Sequence, residues 1–264
     1  MITDLDLVSR LRAAGCVFAE EEAAVLREAA AGDPALLGTM LAARVAGEPL
    51  EHVVGWVDFA GRRWAVKPGV FVPRQRTELL VREAVALGLA GGHSVVVADL
   101  CCGCGAVGGA VAAGLSDAGR VVELCAVDID PVAAAVAARN LTPWGGQVAA
   151  GDLDAPLPQT LRGRVDLLLC NAPYVPTDAV ATLPPEAREH EPLVALDGGA
   201  DGLDILRRVM DAAPGWLRPG GHLLFETGED QVSSAVGHAE KVGLTARVIE
   251  DEEAGALGVV ATRP

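Results

Sequence analysis

The chain has 264 residues, 51 % of them hydrophobic, and sets 21 basic against 36 acidic side chains for a net charge of −15. That length holds one large α/β domain with a smaller appendage, and the acidity excludes the broad basic footprint that usually holds nucleic acid. No apolar run reaches the roughly 18 residues of a membrane span. The start, Met1-Ile2-Thr3-Asp4, lacks a basic segment followed by an apolar one. The expectation is a cytoplasmic protein acting on a protein or small molecule, with no membrane partner and no sequence-specific nucleic-acid binding.

Residues 1–50 read as a small helical domain. Glu20-Glu21-Glu22-Ala23-Ala24-Val25-Leu26-Arg27 joins strong helix formers to apolar positions at helical spacing. Gly32-Asp33-Pro34 breaks that run, with Asp33 placed to cap the next helix and Pro34 at its first position. Over residues 51–75 the texture changes to short β-like segments, 53–57 and 63–66, and Ala60-Gly61 between them predicts a hairpin linker. Residues 76–264 alternate. A helix over 77–89 precedes a strand over 94–99, and a Gly-rich turn leads into a helix over 106–113. Strand 121–127, helix 131–141 and strands 147–150 and 165–170 follow. Helix 201–213, strand 221–226, helix 230–242 and strands 245–249 and 257–262 finish the chain. This alternation predicts an α/β domain whose mainly parallel sheet is covered on both faces.

In such a sheet, ligands bind at the carboxyl ends of the strands. The first strand runs into Asp99-Leu100-Cys101-Cys102-Gly103-Cys104-Gly105. Gly103 and Gly105 let backbone pass close to a ligand, and the helix amides that follow can receive a polar group. The pattern is not the dinucleotide G-x-G-x-x-G, because an acid opens it and Cys101 stands where a third Gly is expected. Asp128-Ile129-Asp130 ends the second strand at about the spacing by which an acid reaches ribose hydroxyls; Asp130, before Pro131, is placed as a helix cap. Asp152-Leu153, after the third strand, suits an adenine amino group and ring. Three acids and a Gly turn fit a nucleoside without phosphates. S-adenosylmethionine is such a ligand, and its sulfonium favours an acidic pocket. The six cysteines show no paired C-x2-C spacing, which predicts no metal site and small buried thiols in a reducing compartment.

Asn171-Ala172-Pro173-Tyr174 follows the apolar run 165–170. In isolation it reads as a strand leading into an ordinary Asn-x-Pro turn. Beside a nucleoside site it also reads as a receptor for a planar –NH2 group. The Asn side chain offers an acceptor, Pro173 pushes Ala172 towards extended backbone so that its carbonyl points alongside, and Tyr174 adds a flat wall.

Glu48-Pro49-Leu50-Glu51-His52-Val53-Val54-Gly55, Phe71-Val72-Pro73-Arg74-Gln75-Arg76-Thr77-Glu78-Leu79-Leu80, the Gly turn, Asp128, Asn171, Arg188-Glu189-His190-Glu191-Pro192-Leu193-Val194-Ala195-Leu196 and Gly220-Gly221-His222-Leu223-Leu224-Phe225-Glu226 follow in order. This succession, spanning nearly the whole chain, resembles the protein N5-glutamine methyltransferases, the family that modifies release factors and a ribosomal protein. The resemblance implies a Rossmann-like seven-stranded S-adenosylmethionine-dependent methyltransferase fold over residues 76–264. It also implies a substrate-recognition role for residues 1–50. Asp99 and the turn Cys101, Cys102, Gly103, Cys104 and Gly105 would hold the methionine part of the cofactor. Asp128 with Ile129 would take the ribose, and Asp152 with Leu153 the adenine end. Asn171, also beside the cofactor, would bind the target glutamine amide together with Ala172, Pro173 and Tyr174, with Arg74 and Glu191 as further substrate contacts. The partner implied is a release factor-like or ribosomal protein.

The chain also departs from the family pattern. Ala172 replaces the first Pro of the usual Asn-Pro-Pro-Tyr, which keeps the acceptor carbonyl but adds an N–H. The last strand lacks the Arg-rich approach common in release-factor enzymes. Rival readings are an N6-adenine methyltransferase, opposed by the net charge, a small-molecule methyltransferase, and a cofactor-binding protein without activity. Gly145-Gly146-Gln147 spells the tripeptide that release factors present, but its place before a strand reads as a turn.

Overall fold

The computed structural model describes residues 2–264. Helices α1 (Asp4–Ala13), α2 (Ala19–Ala30) and α3 (Pro34–Val45) bury Leu7, Leu11, Leu26, Leu37 and Leu41 in a core of their own. Side chains fix the helix starts: Thr3 and Asp6 form a capping box on α1. Asp33 accepts from the Ala35 and Leu36 amides at the head of α3, with Pro34 in the first turn. The next segment differs from expectation. Residues 53 and 54 read as strand, yet they end a short helix, α4 (Leu50–Val54). Leu50, Val53 and Val54 pack on the three-helix core, and that contact outweighs the β preference of two valines. Gly55, at φ 84°, then turns the chain out of the helix. The hairpin follows as β1 (Trp56–Phe59) and β2 (Arg62–Ala65), paired antiparallel.

The remaining strands are β3 (Ser94–Leu100), β4 (Val121–Asp128), β5 (Gln147–Ala150), β6 (Val165–Cys170), β7 (Leu217–Glu226), β8 (Thr245–Asp251) and β9 (Ala256–Thr262). They form one seven-stranded sheet in the order β5-β4-β3-β6-β7-β9-β8. The first five run parallel, while β9 is antiparallel to both β7 and β8. Helices α5 (Glu78–Ala90), α6 (Ala106–Asp117) and α7 (Pro131–Leu141) cover one face. Between β6 and the next covering helix, a long segment carries α8 (Pro185–His190). Helices α9 (Asp204–Trp216) and α10 (Val232–Lys241) cover the other face. Helix α9 starts later than the sequence suggested and passes through Pro214 to Trp216. Trp216 is buried, and its indole N–H donates to Asp154 at 2.8 Å, which holds that last turn. The strand order reverses between β3 and β6, so their carboxyl ends open a crevice.

Helix α6 explains much of the Ala/Gly bias. It is packed by the sheet, by α5 and by the hairpin, and there is no room for side chains on the faces its glycines occupy. A Cβ at Gly108 would stand 2.7 Å from Asp99 Oδ2, one at Gly109 2.4 Å from the Trp64 ring, and one at Gly114 2.9 Å from Val85. Trp64 is the anchor of the hairpin, and its indole donates to the Phe59 carbonyl at 3.0 Å. Asn140 on α7 completes the attachment. It accepts from the Ala65 amide and donates to the Ala65 and Cys104 carbonyls, tying hairpin and Gly-rich turn to one side chain. Gly109→Ala should therefore destabilise the fold. Displacing Trp64 costs roughly 1–3 kcal/mol by overpacking, which exceeds the roughly 1 kcal/mol that Ala returns in helix propensity. Urea unfolding measures the difference, and an unchanged or raised midpoint contradicts this packing.

Candidate active site

A cavity of about 490 Å³ lies at the carboxyl ends of β3, β4 and β6. Its floor is built from strand ends. Asp99, Cys101, Cys102 and Gly103 come from the turn after β3, Asp128 and Ile129 from the end of β4, and Asn171, Ala172, Pro173 and Tyr174 from the segment after β6. Val70, Phe71, Arg74 and Arg76 line a wall, and residues 183–196 form a roof that includes Leu183, Val194 and Leu196.

The turn after β3 is held by the acids around it. Asp128 accepts from the Gly103 amide at 2.7 Å and from the Asp130 amide at 2.9 Å. Each oxygen keeps capacity for a further donor, which is what a pair of ribose hydroxyls requires. Burial raises the Asp128 carboxyl above its ordinary range, against the pull of these amides. Asp99, fully buried, accepts from the Gly108 amide at 2.9 Å. Burial pushes Asp99 up to about 7; the Gly108 amide pulls it down and the neighbouring Asp128 adds repulsion. Cys101 sits at φ 55°, a left-handed conformation that favours glycine. The structure thus shows why a Gly is expected at that position.

Beyond β6, Asn171 Nδ2 donates to Thr77 Oγ1 at 3.4 Å. Among the described residues no donor reaches Asn171 Oδ1, and no hydrogen bond takes the Ala172 carbonyl. Both residues line the cavity. The N–H that Ala172 has and a proline lacks lies against the Cys170 thiol. That thiol is held well above its usual range, first by contact with the Cys101 thiol and then by burial, and the Ala172 amide draws it back. The Tyr174 hydroxyl donates to Glu226 at 2.8 Å and accepts from Arg76 at 2.6 Å. Burial and the adjacent Glu226 push the phenol up to about 12, so it stays protonated at neutral pH.

Glu191 clamps the roof to the wall: it accepts from the Val72 amide at 3.3 Å and twice from Arg74, at 2.7 and 2.6 Å. Burial raises this carboxyl, and Arg74 works against the rise. Of the residues singled out from sequence, Asp99, Cys101, Cys102, Gly103, Asp128, Ile129, Asn171, Ala172, Pro173, Tyr174 and Arg74 all line the cavity. Glu191 stands behind it. Cys104 is buried beneath the turn and Gly105 begins α6 at φ 79°. Asp152 is ion-paired with Arg208 at 2.7 Å, and Leu153 is buried in the core, so neither lines the cavity. Sequence reading named neither Thr77 nor Glu226 as a site residue. Glu226 carried the same signal as Asp99 and Asp128, an acid at the end of a buried strand. Among the described residues no cluster of His, Cys, Asp and Glu is placed to hold a metal ion.

No protein-family model matches the chain. Curated relatives do. The release factor glutamine methyltransferase of Cereibacter sphaeroides is 38 % identical over 258 residues, covering 90 % of this chain and 88 % of the relative. The one from Geobacter sulfurreducens is 38 % identical over 206 residues, covering 77 % and 69 %. The chain belongs to the release factor glutamine methyltransferase family. A 4-amino-L-phenylalanine/4-methylamino-L-phenylalanine methyltransferase from Streptomyces pristinaespiralis is 37 % identical over 195 residues, 72 % of this chain and 65 % of that protein. Among solved structures, the hMettl16 catalytic domain shares the fold, with a TM-score of 0.59 at 13 % identity over 85 % of this chain and 81 % of that one. The expected Rossmann-like methyltransferase fold is therefore the fold observed.

The elevated Asp99 makes stability pH-dependent with a definite sign. Unfolded, the carboxyl titrates near 3.8; folded, near 7. Across that window the folded chain holds a proton that the unfolded chain has released, so this group's contribution falls as pH rises. Asp99→Asn stays neutral and removes that share of the slope. The difference in urea midpoint between variant and parent should shift in the variant's favour from pH 4 to pH 7, and a constant difference rules the assignment out.

Proposed function

We propose that this chain transfers a methyl group from S-adenosylmethionine to the side-chain amide nitrogen, N5, of a glutamine in a release factor or ribosomal protein. The observation that carries the reading is the pair of unused acceptors, Asn171 Oδ1 and the Ala172 carbonyl, on two residues that line a cavity also lined by Asp128. The donor set fits the cofactor. Asp128 has lone pairs left for ribose hydroxyls, Ile129 and Val107 give apolar surface, and the carboxylates suit a cation. Asp152 and Leu153 are assigned to the adenine end by family resemblance, and Arg208 competes for Asp152. Bound there, the cofactor supplies an electrophilic methyl on a positively charged sulfur.

The rest is orientation by the chain. An amide nitrogen is a weak nucleophile because its lone pair is shared with the carbonyl. Two fixed oxygens that accept both N–H bonds aim that nitrogen and stabilise positive charge as it builds. Tyr174, held by Arg76 and Glu226, gives the amide a flat wall, and the roof shields the site from water. The helical domain of α1–α3 reaches this roof through Arg44, which lies 3.5 Å from Glu186 on α8; a substrate bound to that domain is presented to the cavity. No helix among the described residues is long and apolar enough to cross a membrane.

The aminophenylalanine methyltransferase relative favours a second reading, a free aromatic amine as acceptor, because the same oxygen pair receives any planar –NH2. Radiolabelled cofactor offered to purified release factor, to ribosomal protein and to an aromatic amine separates the two. Asn171→Ala should lower methyl transfer by roughly 10²–10³ while S-adenosylhomocysteine still binds. Equal turnover in variant and parent would sink the proposal.

A further inference from the structure

Glu226 does not line the cavity, yet it joins Thr77, the partner of Asn171, to Arg76 and Tyr174. Its carboxylate is buried. Oε2 accepts from the Thr77 hydroxyl at 2.6 Å, and Oε1 accepts from Arg76 at 2.8 Å and from the Tyr174 hydroxyl at 2.8 Å. The Thr77 hydroxyl has one proton, and a carboxylate, having none to give, takes it. Thr77 can therefore offer Asn171 only a lone pair, so the group of Asn171 that faces it must be the NH2. That leaves Asn171 Oδ1, and not its amide hydrogens, turned to the cavity. We infer that Glu226 is a positioning residue that sets the polarity of Asn171 through Thr77, and so makes Asn171 an acceptor for the target –NH2 group.

This inference rests on the reading of Asn171 as the amide acceptor. It concerns direction and not mere rigidity, which gives it a distinctive test. In Glu226→Gln the side chain keeps its shape, but its two ends are no longer alike. The oxygen must face Arg76 and Tyr174, which are both donors, so the new NH2 faces Thr77. Thr77 then accepts from residue 226 and gives its own proton to Asn171. Asn171 turns over to accept it, and presents two N–H groups to a substrate that also brings N–H groups. Thr77→Val is milder, because it removes the partner without reversing it and leaves Asn171 free to adopt either orientation. Thr77→Ser keeps the relay.

The experiment measures methyl transfer to purified bacterial release factor for parent, Glu226→Gln, Thr77→Val, Thr77→Ser and Asn171→Ala. Thermal melts and S-adenosylhomocysteine titration confirm that each variant is folded and loaded. Expected losses in kcat are roughly 10²-fold for Glu226→Gln, comparable with deleting an oriented transition-state partner. Thr77→Val should lose about tenfold, the worth of one hydrogen bond, and Thr77→Ser little. A structural role alone predicts no such order, since both isosteric variants would act only through stability. Proton exchange at the Asn171 side chain, read by NMR on the unliganded protein, gives a readout independent of turnover. The hydrogen held by Thr77 should exchange slowly in the parent and in Thr77→Ser and fast in Glu226→Gln, where neither hydrogen has that partner. If Asn171→Ala is inactive but Glu226→Gln keeps parental kcat and slow exchange, the relay is overturned and the site assignment stands. If Asn171→Ala is itself fully active, both fall.

Discussion

A carboxylate taken out of water has to find donors or give up its charge, and three buried acids and the half-buried Asp128 find theirs in the loops that make the cavity. Asp99 at the end of β3 takes the Gly108 amide of α6. Asp128 at the end of β4 takes the Gly103 and Asp130 amides, which fixes the Gly-rich turn and the start of α7 together. Glu226 at the end of β7 takes Thr77, Arg76 and Tyr174. Glu191 in the roof takes Val72 and Arg74. Without these bonds each loop would be free to move and each acid would be a buried, unpaired charge. The floor, the wall and the roof are thus consequences of one requirement met four times.

Close approach of this kind also explains the glycines of α6. Asp99 reaches the Gly108 amide only because no Cβ intervenes, and the hairpin's Trp64 reaches the same helix only because Gly109 has none. One thin helix brings the sheet and the hairpin to within contact of each other. Asn140 then joins the hairpin to the cofactor turn. The linker after α4 is therefore part of the site's scaffold, although none of its strand residues touches the cavity.

Much of this was legible in the chain. Period and punctuation placed α7, β5 and β6 within their observed bounds, because Pro131, Asn171 and the glycines mark ends by backbone chemistry that tertiary packing does not overrule. Acids closing apolar runs located Asp99 and Asp128 in the cavity for the same reason. What stayed hidden depended on distant contacts. Val53 and Val54 look like strand until the three-helix core that claims them is known. Asp152 reads from sequence as an acid after a strand, and its ion pair with Arg208, far along the chain, is not visible there. Thr77 and Glu226 lie 149 residues apart in sequence, and only the sheet order brings them to 2.6 Å.

The distribution of charge around the cavity bears on its substrate more directly than the net charge does. Arg74 and Arg76 are the cationic side chains that line it, and both are committed, Arg74 to Glu191 and Arg76 to Glu226 and Tyr174. Against them stand Asp99 and Asp128 on the floor and Glu186 at the roof. A phosphate backbone brought to this opening would meet carboxylates and, among the described residues that line it, only arginines already paired, whereas a cationic cofactor and a neutral amide meet acceptors. The pairing of both arginines thus makes the lining of the cavity better suited to a neutral acceptor than to a phosphate.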